Sequence, residues 1–232
     1  MIIVEGLHKA YGSRAVLADL SFEARPGEVT LLVGANGSGK STTNRILAGL
    51  IEADAGRLSI DGTVVDARRP AARRRLSFLP QSPRFHPSLT VTQILEFYAR
   101  LRGLDGTSCV RVAKQWALTD YLDAPSGVLS GGLRQRLALA VFALPEAPVL
   151  ALDEPGLSLD PDWRRFLQDE LRAAAREGRT VLVATHLLGE WDGRVDRCLV
   201  LDHGRILREL APDRLRQAFP FAVAHPHQAV AR

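Results

Sequence analysis

Residues 28–50 read EVTLLVGANGSGKSTTNRILAGL. The β-forming run that ends at Gly34 is introduced by Pro26-Gly27, and Ile46, Leu47 and Leu50 return at helical spacing, so the segment predicts a strand, a tight loop and a helix. Between them, Gly34-Ala35-Asn36-Gly37-Ser38-Gly39-Lys40-Ser41 fits G-x-x-x-x-G-K-[ST] in the context where that pattern has a physical meaning. Glycines let backbone N–H groups converge on phosphate oxygens, and the helix N-terminus adds a favourable dipole. Lys40 can reach the outer phosphates and Ser41 can offer its hydroxyl to Mg²⁺. Gly34, Asn36, Gly37, Ser38, Gly39, Lys40, Ser41 and Thr42 are thus the expected phosphate-binding set.

Upstream, IIVEGL and AVLADLSFEA flank the Tyr11-Gly12 turn and predict a β-rich start. Downstream, RLSIDGTVV predicts a hairpin and LSFL a short strand ending at Pro80-Gln81. From about Thr90 to Ala143 the pattern turns helical: VTQILEFYARLRGL and CVRVAKQWAL carry apolar residues at three- and four-residue intervals. This stretch reads as an inserted helical lobe. Alternating strand and helix signals return with VLALDEP, WRRFLQDELRAAAREG, TVLVATH and DRCLVLDHGRIL, completing a mostly parallel sheet. The expected fold class is α/β: a P-loop NTPase core with an N-terminal antiparallel β subdomain and an inserted α-helical lobe. The core takes about residues 1–82 and 145–215, the lobe about 83–144, and 216–232 is a C-terminal tail.

Val149–Glu154 is an apolar strand ending in two carboxylates, at the strand end where α/β sheets bind ligands. Asp153 can hold Mg²⁺, and Glu154 can polarise an attacking water, since phosphoryl transfer chiefly needs a positioned nucleophile and screened phosphate charge. Taken alone, such an end is more often an ordinary helix cap. Leu129-Ser130-Gly131-Gly132-Leu133-Arg134-Gln135-Arg136 alters that balance, because it resembles the signature motif of the ABC ATPase family.

The resemblance spans about residues 2 to 210 and implies the remaining roles. Tyr11 resembles the aromatic that stacks on adenine, with Val16 beside it. Gln81 resembles the Q-loop glutamine that reaches Mg²⁺ or the attacking water, and His186 the switch histidine at the γ-phosphate. Ser158-Leu159-Asp160 occupies the place of the loop that crosses the dimer interface; Gly156 and Leu133 depart mildly from the usual pattern. The family implies that Ser130, Gly131 and Gly132 close over ATP held by a second ATPase subunit, a homodimer in the simplest case, with an integral membrane permease as the further partner. Cofactors are then ATP and Mg²⁺, and Ser41, Gln81 and Asp153 are the metal set. The stretch Ser88–Leu104 is similar to ATPases of ABC-2-type exporters, which implies export, with docking beside Gln81 and Pro83–Tyr98.

Composition agrees. With 46% hydrophobic and 24% charged residues the chain can bury a core. No window approaches the roughly 18 apolar residues of a bilayer span, and the N-terminus carries no signal pattern. The expected location is therefore the cytoplasmic face of the cell membrane, peripheral. Cys109 and Cys198 form no C-x-x-C pair and read as reduced thiols. The net charge of +4 identifies no partner. The basic run Arg68, Arg69, Arg73, Arg74, Arg75 reads as a solvated charged surface, with a face toward anionic lipid as the alternative, and it contains no aromatic to mark a specific nucleic-acid site. His225 and His227 read as tail. The alternative function, a soluble ABC ATPase acting on ribosome or DNA, usually carries two cassettes or long coiled coils, and neither is present. A small-molecule kinase would not need the Ser130 turn.

Overall fold

The computed structural model describes residues 1–65, 71–186, 191 and 193–210. The expected tail, His225 and His227, and Arg68 and Arg69 lie outside the described residues.

Strand β3 (Val29–Val33) is buried along its whole length, and its side chains alternate between two cores. Val29, Leu31 and Val33 pack with helices α3 (Val91–Arg102), α4 (Gly106–Gln115), α5 (Gly131–Ala143) and α6 (Pro161–Arg176). Leu32 points the other way, into a cluster with Ile46 and Leu47 of α1 (Lys40–Leu47) and with Ile2, Val4 and Leu58 of the N-terminal sheet. That sheet has the order β2-β1-β4-β5, from β1 (Ile2–Tyr11), β2 (Arg14–Ala24), β4 (Ala55–Ile60) and β5 (Thr63–Val64), all antiparallel. The helices expected as an inserted lobe therefore share one apolar cluster with the main sheet.

The main sheet has the order β10-β9-β3-β8-β7-β6. Its parallel members are β3, β6 (Leu76–Leu79), β7 (Val149–Asp153), β8 (Thr180–Thr185) and β9 (Arg197–Asp202). The segment DRCLVLDHGRIL is a hairpin in which β10 (Arg205–Leu210) returns antiparallel to β9. Register aligns the strand ends: Val33 pairs with Thr185, Asp153 with Ala184 and Leu79 with Leu152. The loops beginning at Gly34, Pro80, Glu154 and His186 consequently leave from one edge of the sheet.

Side-chain caps fix the helix starts. The Ser130 hydroxyl accepts from Leu133 N–H, so α5 begins at Gly131, and Asp160 caps α6 ahead of Pro161. At α3, Thr90 and Gln93 form a reciprocal capping box. Helix α4 covers Gly106–Gln115 rather than continuing to Leu118, because Ala117 takes a left-handed φ of 47°. A four-residue helix, α2 (Ala71–Arg74), opens the described part of the basic run, and Arg75 pairs with Asp61 at 3.0 Å. Among the described residues no helix is long and apolar enough to cross a membrane.

Cys198 is fully buried in β9, and burial pushes its thiol up to about 12. A thiolate-directed reagent at pH 8 should accordingly modify at most Cys109 in the folded chain, with Cys198 reacting only after denaturation. Mass spectrometry of the labelled peptides checks this. Equal labelling of both thiols under native conditions would contradict the packing of β9.

Candidate functional site

An open cleft of about 450 Å³ lies over the aligned strand ends, lined by Tyr11, Arg14, Val16, Asn36, Gly37, Gly39, Lys40, Ser41, Thr42, Gln81 and Glu154. The structure thus gathers most of the expected phosphate set with Tyr11, Val16, Gln81 and Glu154. Gly34, Ser38 and Asp153 are not among the lining residues; Ser38 and Asp153 are buried, and the Ser41 hydroxyl hydrogen-bonds the Asp153 carboxyl. Ser130, Gly131 and Gly132 are not in the cleft. They start α5, where a methyl on Gly132 would stand 3.4 Å from the Ser158 carbonyl oxygen.

The loop is shaped by close packing. A methyl on Gly34 would approach the Leu201 carbonyl oxygen to 2.2 Å, so only glycine lets the chain leave β3 against β9. Helix α1 follows Gly39, which supplies no side-chain cap, so the first-turn N–H groups receive no cap from that residue. Lys40 is buried and folds back over the loop, its Nζ donating to Gly34 O at 2.7 Å and Ala35 O at 3.3 Å. Burial draws its pKa down, and the charges of Glu154 and Asp153 draw it back up. From the far side of α1, Asn44 Nδ2 donates to Leu152 O at 3.3 Å and fixes the helix to β7.

Glu154 is also buried, at 5% exposure, and holds a left-handed φ of 50°. A non-glycine residue in that region costs of order 1–3 kcal/mol, so the surroundings must hold it there. They do so through three contacts. Its backbone N–H donates to Ala184 O at 2.8 Å, and the Thr185 hydroxyl donates to Oε2 at 3.1 Å. His186 Nδ1 lies 2.7 Å from Oε1. Because a carboxylate only accepts, Nδ1 carries the proton and Nε2 is left for another partner. Asp153 is equally buried. Its carboxyl is pushed above the usual carboxylate range by burial first and by the Glu154 charge, while a hydrogen bond from Ser41 and the charges of Lys40 and Arg45 oppose the shift. Its Oδ1 has no hydrogen-bond partner, an orphaned acceptor beside the Ser41 hydroxyl.

Two contributors were not legible in the sequence. Arg14 starts β2 directly across from Tyr11, and one of its terminal nitrogens would stand 3.4 Å from a methyl on Gly37. Among the described residues it has neither an ion-pair nor a hydrogen-bond partner. Of the charged side chains lining the cleft, Lys40 and Glu154 offset one another, so Arg14 supplies the remaining positive charge. Its only sequence signal was a cation beside an aromatic hairpin turn. Gly204, in the β9–β10 turn, donates its N–H to Ser38 O at 3.0 Å and accepts from Ala18 N–H at 3.1 Å. A methyl there would meet Val16 O at 2.3 Å, so this turn wedges between β2 and the phosphate loop. Nothing in the local sequence marks that contact.

Comparison with known proteins gives concordant results. The ABC transporter family model matches residues 17–156. The Nod factor export ATP-binding protein I of Ralstonia nicotianae is 35% identical over 219 residues, which cover 93% of this chain and 68% of that protein. Among solved structures, an ATP-binding subunit of an ABC transporter superposes with a TM-score of 0.86 at 28% identity, covering 97% of this chain and 95% of the other. A dimeric bacterial ABC transporter cassette has the same fold, with a TM-score of 0.84 at 24% identity, covering 91% and 99%.

Proposed function

Because this chain belongs to the ABC transporter family, as an ATP-binding subunit whose ATP hydrolysis drives transport through a membrane partner, we propose that it powers export from the cytoplasmic face of the cell membrane. In this reading two copies share two ATP sites. The observation that carries the catalytic part is the fixed carboxylate of Glu154, held by His186 and Thr185 at the sheet edge from which the phosphate loop also emerges. The export direction is supported by the similarity to the Nod factor export protein.

Within that proposal, Tyr11 and Val16 receive the base. The loop Gly34–Thr42 wraps the phosphates, with Lys40 exchanging its loop carbonyls for phosphate oxygens. Glu154 orients the attacking water and accepts its proton at Oε1 or Oε2. His186 keeps Glu154 aimed, and its Nε2 faces the outermost phosphate. Mg²⁺ fits the all-oxygen set of Ser41, Asp153 and Gln81, where the orphaned Asp153 Oδ1 offers a ligand atom, and it would screen phosphate charge there. Ser130, Gly131 and Gly132 present the N-terminus of α5 to the triphosphate held by the other subunit. Losing the outer phosphate removes that bridge and reopens the pair.

The division into a catalytic core and a helical lobe belongs to the same reading: the lobe carries both the Ser130 turn and the face that meets the permease. Support for the docking face comes from Leu89 and Phe97, apolar side chains left exposed within Pro83–Tyr98.

Arg14→Ala tests the polarity of the cleft. It should weaken ATP binding roughly tenfold while changing AMP binding less, because the lost cation acts on phosphate charge. Isothermal titration with both nucleotides reads the difference, and equal affinities for wild type and variant would remove Arg14 from the site. The partner is tested by purifying tagged Glu154→Gln from native membranes with Mg-ATP and identifying what co-purifies. A stoichiometric polytopic membrane protein is the expected result. Ribosomal or DNA-associated partners in its place would instead support a soluble ATPase.

A further inference from the structure

Behind the Ser130 turn lies an aromatic cluster that none of these roles uses. Trp163, in the first turn of α6, is half-buried, and the Arg136 guanidinium of α5 stands 4.5 Å from its ring centroid. Trp116, at the end of α4, stacks on Trp163 with centroids 6.1 Å apart and planes at 27°. Phe166 meets both indoles edge-on at 5.3 Å. Three helices are joined here, and the cation over the indole face is an attraction with a defined geometry rather than general apolar packing.

Both α5 and α6 begin at residues that the shared-site reading places against the second subunit. On α5, Arg136 follows Ser130, whose hydroxyl caps the helix. On α6, the backbone N–H of Trp163 itself donates to Asp160 Oδ1 at 2.9 Å, so the residue carrying the ring also closes the Asp160 cap. The first turn of α5 lies against the loop that leads into α6, where a methyl on Gly132 would stand 3.4 Å from the Ser158 carbonyl oxygen. Gln135 Nε2 then donates to Pro155 O at 2.8 Å, joining α5 to the residue that follows Glu154. A shift of α5 along α6 would separate Arg136 from Trp163 and move the Ser130 turn away from the Ser158–Asp160 loop.

We propose that Trp163 is a positioning residue for the shared ATP site: its stack with Arg136 and Trp116 sets α5 and α6 in register, so that the Ser130–Gly132 turn and the Ser158–Asp160 loop reach the second subunit as one surface. The proposal rests on the reading that these two segments face a second copy. Trp163 does not line the cleft, so its effect falls on subunit closure and not on the first binding of ATP.

The test uses the full chain carrying Glu154→Gln, with dimer formation followed by sedimentation velocity as ATP is added. Adding Trp163→Ala should raise the ATP concentration for half-maximal dimerisation roughly tenfold. ATP affinity at protein concentrations below dimerisation should stay within about twofold of the parent, since the cleft is untouched. Trp163→Phe, which keeps an aromatic face, should recover most of the loss. Arg136→Met, which keeps the aliphatic stem and removes the cation, should show the same selective defect and carries the test if Trp163→Ala folds poorly. Unchanged dimerisation in Trp163→Ala or Arg136→Met would overturn the proposal, as would a parallel loss of monomer ATP affinity. A Glu154→Gln parent that binds ATP yet never dimerises would overturn the shared-site reading itself, and this proposal with it.

Discussion

Replacing Glu154 by Gln leaves ATP binding near the wild-type level and slows turnover by at least about 100-fold, the range expected when a positioned general base is removed. The substitution keeps the shape of a buried side chain and retains one oxygen able to accept from Thr185 or His186, so the left-handed backbone at position 154 stays supported. What it removes is the ability to take a proton from water. With binding intact and cleavage blocked, ATP remains in the closed pair, and a stable dimer accumulates only in the presence of nucleotide. Single-turnover hydrolysis and sedimentation measure the two halves of this result. A variant that hydrolyses ATP at the normal rate would end the assignment of Glu154, whatever the oligomer does.

Lys40→Ala has the second large effect, this time on binding. The ammonium is buried, satisfied by two loop carbonyls, and flanked by Glu154 and Asp153. Without it, a polyanionic ligand would enter a pocket whose remaining buried charges are both negative. Removing one partner of a buried charge pair costs about 2–5 kcal/mol, so ATP affinity should fall by at least about thirtyfold. A thermal-shift comparison makes this visible. At an ATP concentration 100 times Kd the wild-type chain gains about 2.7 kcal/mol, and a domain of this size then gains about 5–10 °C in Tm. The variant should keep at most about a third of that gain at the same ATP concentration. An undiminished shift would mean that the loop backbone alone holds the phosphates and that Lys40 acts elsewhere.

Both predictions concern residues legible in the sequence, because each belongs to a contiguous signal. Gly34–Ser41 combines a β-forming run, a glycine loop and a helical period within 23 residues, 28–50, and every part of that signal is local. Val149–Glu154 is an apolar strand with a charged end, a signal carried by six consecutive residues. His186 was legible only through its spacing from Glu154 in a family resemblance. No local property of TVLVATH states that its histidine will touch a carboxylate 32 residues earlier.

The limits appear most clearly at β9 and β10. As a sequence, DRCLVLDHGRIL reads as one more strand signal, and the structure turns it into a hairpin whose Gly204 locks Ser38 and Ala18 together. The same holds for Arg14, which becomes part of the cleft only because β2 pairs with β1 in a register that sets it opposite Tyr11.

The sequence by itself determined the phosphate loop, the strand and helix classes and the chemical identity of Lys40, Ser41, Asp153 and Glu154, since these follow from residue type and short-range periodicity. Only the tertiary structure decided the strand order with β3 between β8 and β9, the Glu154–His186 contact, the Gly204 wedge, the charge balance around Arg14 and the Arg136–Trp163 stack. The physical reason is that apolar patterning specifies which face of each element is buried. Which buried faces meet, and in what register, depends on packing between segments far apart in the chain.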